Sequence, residues 1–153
     1  MISTDTRKIV INGCFGGFSL SHEGCVRYAE LAGIDLHWYF DEIAERVYGD
    51  EYREKSDLRH YTTAPIPGLN DGDVYGGMGD ETPESKFLND NYWSCRDLER
   101  DDPLLIQVVE ELGEKANGRC AKLEVVEIPA DVQWEIDEYD GNEHIAETHR
   151  TWR

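Results

Sequence analysis

Residues 8–24 read KIVINGCFGGFSLSHEG, an apolar run that passes through three glycines into the start of a helix. Lys8 to Asn12 is β-branched and nearly continuous in apolar character, which predicts a short buried strand. Ser21 stands where a helix N-cap belongs, with Glu23 in the first turn, where the dipole favours negative charge. Cys25, Tyr28, Ala29 and Ala32 then share one face at helical spacing, and Gly33 supplies the stop. Residues 34–40, IDLHWYF, alternate Ile34, Leu36, Trp38 and Phe40 with Asp35, His37 and Tyr39. That pattern predicts a second strand with one buried face. Strand, glycine turn, helix and strand over 8–40 predict a βαβ unit with parallel strands and a right-handed crossover.

The remainder of the 153 residues divides by composition. Within 41–100, DEIAERVYGDEYREK suits a short helix, while 61–91 gathers the Pro-Gly and Asp-Gly punctuation and reads as a long irregular insertion or lid. Order returns at 101–152. Asp101 or Asp102 can cap a helix with Pro103 at its first position, and Leu105, Val108, Val109 and Leu112 form the buried stripe ending at Asn117-Gly118. AKLEVVEI and VQWEIDEY predict two strands, Asp140-Gly141 a turn, and NEHIAETHRTW a closing helix. The fold class expected is α/β: one small domain over 1–153, its mixed sheet of about four strands beginning with the βαβ unit and interrupted by the excursion.

Acidic residues number 33 against 15 Lys and Arg, for a net charge of −18. Such a balance disfavours binding of a nucleic-acid polymer through its phosphates and of an anionic membrane. The negative excess lies entirely in 35–153, because Arg7, Lys8 and Arg27 balance Asp5, Glu23 and Glu30. An anion nearing the glycine turn therefore meets no local repulsion. No apolar stretch is long enough to span a bilayer and no signal-peptide core is visible, so a cytoplasmic protein is expected, with Cys14, Cys25, Cys95 and Cys120 as reduced thiols.

The glycine turn is the candidate ligand site. Glycines let backbone N–H groups approach a phosphate at a helix N-terminus, so Asn12, Gly13, Cys14, Phe15, Gly16, Gly17, Phe18, Ser19 and Ser21 are named as binding residues. Phe15 and Phe18 can flank a base, and Arg150 beside Trp152 can add a charge-assisted contact and a stacking ring. The structural alternative is a tight turn whose phenylalanines plug the core. The spacing is neither a Rossmann fingerprint nor a P-loop.

Other chemistry is thin. His22 with Cys25 and Cys14, or His144 with His149, fall short of a zinc set, and NDGDVYGGMGDE lacks the spacing of a calcium loop. No metal and no cofactor is expected. A metal-dependent nucleotide hydrolase on Glu143, Glu147, His144 and His149 is the weakest reading, against a plain polar helix face. No catalytic motif is present, so no enzyme is expected.

The stretches VINGCFGGFSLS (10–21), RYAEL (27–31), RDDPLLIQVVEELGEKANG (100–118) and VVEIPADVQWEIDEYDGNEHIAETHRTW (125–152) resemble a family of small bacteriophage proteins. The resemblance spans roughly 8–40 and 92–152. It implies a viral protein of the host cytoplasm that counters host defence. On that basis the expected function is non-enzymatic sequestration of a nucleotide-derived immune signal, a cyclic ADP-ribose relative or a cyclic oligonucleotide, by a homo-oligomer. The alternative expected is an acidic interaction protein that blocks a host defence enzyme.

Overall fold

The computed structural model describes residues 5–41, 59–75 and 82–148. The expected helix at 41–55 therefore falls outside the described residues beyond Asp41, as do His149, Arg150 and Trp152. The protein is mixed α/β. The chain divides into two compact units, Met1–Tyr28 with Arg96–Arg153, and Ala29–Cys95.

In the first unit, β1 (Thr6–Asn12) pairs antiparallel with β6 (Leu123–Pro129) along its whole length, from Thr6 opposite Pro129 to Asn12 opposite Leu123. Ile9, Val10 and Ile11 are buried there with Leu20, Cys25, Tyr28, Leu105, Val108 and Val109. Fully burying one aliphatic side chain of this size is worth about 1.5–3 kcal/mol, so this core carries the unit. Helix α1 (His22–Ala32) begins as expected: Ser21 Oγ accepts from Gly24 N–H at 3.1 Å. It ends at Gly33, whose φ of 71° lets Ile34 N–H reach back to Ala29 C=O, closing the last turn.

Helix α3 (Pro103–Leu112) is capped by Asp102, whose Oδ1 accepts from Leu104 N–H at 2.8 Å. The same carboxylate accepts from Tyr28 Oη at 2.5 Å, tying α1 to α3. Burial and the adjoining Asp102 carboxylate push the Tyr28 phenol up to about 12. The α-helix stops at Gly113, earlier than Asn117-Gly118, and a 3-10 turn over Gly113–Ala116 follows. Strands β7 (Trp134–Tyr139) and β8 (Asn142–Glu147) form an antiparallel hairpin. Its turn is Asp140-Gly141, with φ of 50° and 86°, the left-handed pair that a two-residue hairpin turn requires. NEHIAE is thus a strand, not the start of a closing helix. Hairpin closure overrides the helical propensity of Ala and Glu.

The second unit holds a four-stranded sheet in the order β4-β2-β3-β5. Its strands are β2 (His37–Asp41), β3 (Arg59–Thr62), β4 (Val74–Tyr75) and β5 (Tyr92–Trp93). Strand β2 runs antiparallel to β3 and parallel to β4, so the sheet is mixed. Helix α2 (Pro83–Asp90) starts at Thr82, whose Oγ1 accepts from Ser85 N–H at 3.1 Å. Within the expected excursion at 61–91, residues 63–73 are turns and bends, while 61–62, 74–75 and 83–90 belong to β3, β4 and α2. Tyr39, Ile66, Tyr75 and Leu88 make its core, with Leu69 and Phe87 packed against them.

Two expectations change. The strand–helix–strand order of 8–40 is present, but β1 and β2 lie in different sheets, so they are not a parallel pair. The alternation in IDLHWYF also resolves differently. Tyr39 is fully buried on one face of β2, and Phe40 is buried on the other against Trp38 and Val74, so both faces are covered; Ile34 and Leu36 precede the strand and are half-buried.

Candidate functional site

The glycine turn follows β1 and is built around Asn12, which is fully buried. Asn12 Nδ2 donates to Cys14 C=O at 2.7 Å and Gly141 C=O at 2.8 Å, while Oδ1 accepts from Lys122 N–H at 2.8 Å. Its own N–H donates to Glu143 Oε1 at 2.8 Å. One amide side chain thereby joins three segments, the turn, the approach to β6 and the β7–β8 hairpin.

Glu143 is 8% exposed and is held in a fork by Arg100, at 2.6 Å and 2.9 Å. The Arg100 guanidinium also lies 3.8 Å from the centroid of the Phe18 ring. Phe18 is buried beneath it, so this ring serves the interior. Arg100 and Phe18 keep a charged carboxylate tolerable inside the unit by pairing and covering it.

The glycines are explained by close approach. A Cβ on Gly141 would lie 2.2 Å from Gly17 N, and one on Gly16 would lie 2.7 Å from Cys120 Cβ. Gly16 and Gly17 also have φ of 119° and 91°, which side chains disfavour. The turn is a packing joint on which the hairpin turn sits. Several of its amides are committed: Gly13 N–H donates to Lys122 C=O, Gly16 N–H to Asp140 C=O, and Ser21 N–H to Ala116 C=O. Ser19 C=O accepts from Gly118 N–H, and Ser21 Oγ donates to Lys115 C=O at 2.5 Å.

Phe15 behaves otherwise. It is 57% exposed and meets Tyr139, itself 78% exposed, edge to face at 6.4 Å between centroids. Exposed carboxylates of Asp137, Glu138 and Asp140 adjoin Tyr139 along the hairpin tip. The result is a small aromatic knob on a backbone locked by Asn12, ringed by negative charge. Of the residues named from sequence, Asn12, Gly13, Cys14, Gly16, Gly17, Phe18, Ser19 and Ser21 lie in or beside the joint, and Phe15 alone projects from it. Tyr139 is the partner that sequence reasoning missed. Its only signal was its place beside the Asp-Gly turn.

The second unit holds another cluster. His60 Nε2 lies 2.9 Å from Asp41 Oδ2, with both side chains 13% exposed. The His60 ring packs edge to face on Tyr75 at 5.6 Å. Tyr75 is 2% exposed and its Oη makes no hydrogen bond, an omission that costs a buried hydroxyl about 1–3 kcal/mol. On the opposite face of the sheet, the Arg59 guanidinium sits 5.5 Å and 5.3 Å from the Trp38 and Phe40 rings. At the start of β2, His37 contacts Asp35 and Asp71, each at 3.1 Å. Burial pushes the His37 imidazole down, but these two carboxylates outweigh it and its pKa lies above the ordinary value.

Among the described residues, no three His, Cys, Asp or Glu side chains come together to hold a metal ion. Cys14, Cys25, Cys95 and Cys120 form no disulfide among the described residues. No described helix is long and apolar enough to cross a membrane. Compared with known proteins, the chain matches no family model, no curated protein and no solved structure.

Proposed function

We propose that the protein is an interaction module that docks a basic partner through the Phe15–Tyr139 knob. One observation carries this reading: two large rings stay exposed together on a turn whose backbone is held at Asn12, Gly13 and Gly16. Solvent-facing aromatic pairs on rigid supports are what interface hot spots are made of. The acidic rim and the net charge of −18 favour a positively charged partner and speed its approach. The resemblance to small bacteriophage proteins suggests a host defence enzyme as the partner class, blocked by occlusion of a basic active-site mouth.

Docking is put ahead of nucleotide sequestration because the amides of Asn12, Gly13, Gly16 and Ser21 already donate within the chain. Phe18 likewise faces Arg100 rather than a ligand.

The test is the double variant Phe15→Ala, Tyr139→Ala. It is expected to melt like the parent yet lose at least tenfold in affinity for the partner recovered from bacterial lysate, since a hot-spot ring is worth about 2 kcal/mol or more. Photo-crosslinking from position 15 should mark the same partner, and salt should weaken the complex. Unchanged affinity in the double variant overturns the reading. So does a nucleotide released intact when the purified protein is heated.

A further inference from the structure

In open α/β sheets, ligands bind beyond the carboxyl ends of parallel strands. Strands β2 and β4 run parallel over two residue pairs in a sheet that is otherwise antiparallel, and Asp41 and Tyr75 are register partners at their ends. The antiparallel strand β3 brings His60 to the same end, opposite Tyr39. The pairing puts Asp41, His60 and Tyr75 on one face of the sheet. The Nε2 of His60 is 2.9 Å from Asp41 Oδ2, and its ring packs on Tyr75, whose buried Oη has no partner.

We propose that Asp41, His60 and Tyr75 form a general-base site for hydrolysis of a small, uncharged or cationic carboxylic ester. A carboxylate only accepts, so Asp41 fixes the proton of neutral His60 on Nε2 and leaves the lone pair on Nδ1. Among the described residues Nδ1 has no other partner. It can take a proton from water, while Tyr75 Oη, the unused donor, serves an oxygen that gains charge. A base and a neutral donor without a cationic clamp suit a carbonyl better than a phosphate, and the net charge of −18 repels polyanions.

In the step, Nδ1 accepts a water proton as the water oxygen bonds to the carbonyl carbon. Tyr75 Oη donates to the carbonyl oxygen. The bond from that carbon to the alcohol oxygen then breaks, and the leaving alkoxide receives the proton from Nδ1. Ester and water become acid and alcohol, with no other reactant. The site belongs to Ala29–Cys95 and stands independently of the docking knob.

The probe is p-nitrophenyl acetate, used in a Cys120→Ser background because that exposed thiol would itself be acylated. His60→Gln is expected to lower the rate about a hundredfold. Asp41→Asn and Tyr75→Phe should lower it about tenfold or more, through the wrong tautomer and the lost donor. His37→Gln should leave it unchanged. Nitrogen-15 NMR of the unmodified protein should find neutral His60 protonated on Nε2, a readout that needs no variant to fold. Hydrolysis in His60→Gln equal to the parent overturns the proposal, as does a proton on Nδ1.

Discussion

The two units handle buried polarity in opposite ways. In the unit of Met1–Tyr28 and Arg96–Arg153, Asn12 makes four hydrogen bonds and Glu143 is gripped by Arg100 while accepting from Asn12. In Ala29–Cys95, the Tyr75 hydroxyl is buried with no hydrogen bond at all. Tyr75 is 2% exposed, so that hydroxyl is cut off from solvent as well. The first unit uses polar groups as joinery. The second keeps one donor uncommitted, and a buried donor without a partner calls for an explanation, a catalytic role among them.

This contrast can be broken most forcefully at Arg100. Replacing it by alanine leaves the Glu143 carboxylate buried without its cation, and the loss is expected at about 3–5 kcal/mol. Urea denaturation measures it, and a loss near zero would show that the joint is not held by charge pairing. At Tyr75 the expectation has the opposite sign. Tyr75→Phe removes a hydroxyl with no partner, so stability should stay level or rise by about 1 kcal/mol. A clear fall in melting temperature would reveal a bond to Oη and erase the difference between the units.

The smallest effect concerns His37, between Asp35 and Asp71. Its pKa is raised in the folded protein, so its stabilising contribution is complete below the unfolded-state value and fades as pH rises through the folded one. Because the Asp35 side chain is 79% exposed, solvent screens the pair, and the contribution is expected at about 1 kcal/mol or less. Denaturation midpoints of parent and His37→Gln, followed from mildly acidic to mildly alkaline pH, should converge at the alkaline end. A constant gap would refute the pairing.

Local signals were legible and distant ones were not. Asp102, Pro103 and the stripe of Leu105, Val108 and Val109 announce α3, and Ser21 with Gly33 brackets α1, since caps and periodicity act within a few residues. Nothing near Lys8 names its antiparallel partner Glu127, because strand pairing is settled by tertiary contact. The hairpin was readable: Asp140-Gly141 is the favoured left-handed turn, and it should have outweighed the helical composition of NEHIAE. The glycine turn stood out in sequence, but its crowding against Gly141 and Cys120 did not. Asp41, His60 and Tyr75 come from three separate strands, and no spacing between them encodes a dyad.

The pairing of Thr6 with Pro129 also governs how the chain matures on the ribosome. At about 5–20 residues per second, roughly 6–25 s separate the synthesis of these two partners. Throughout that interval Ile9, Val10 and Ile11 lack the partner strand that covers them in the finished fold. The stretch Ala29–Cys95, by contrast, is contiguous in sequence and waits for no distant partner of its own.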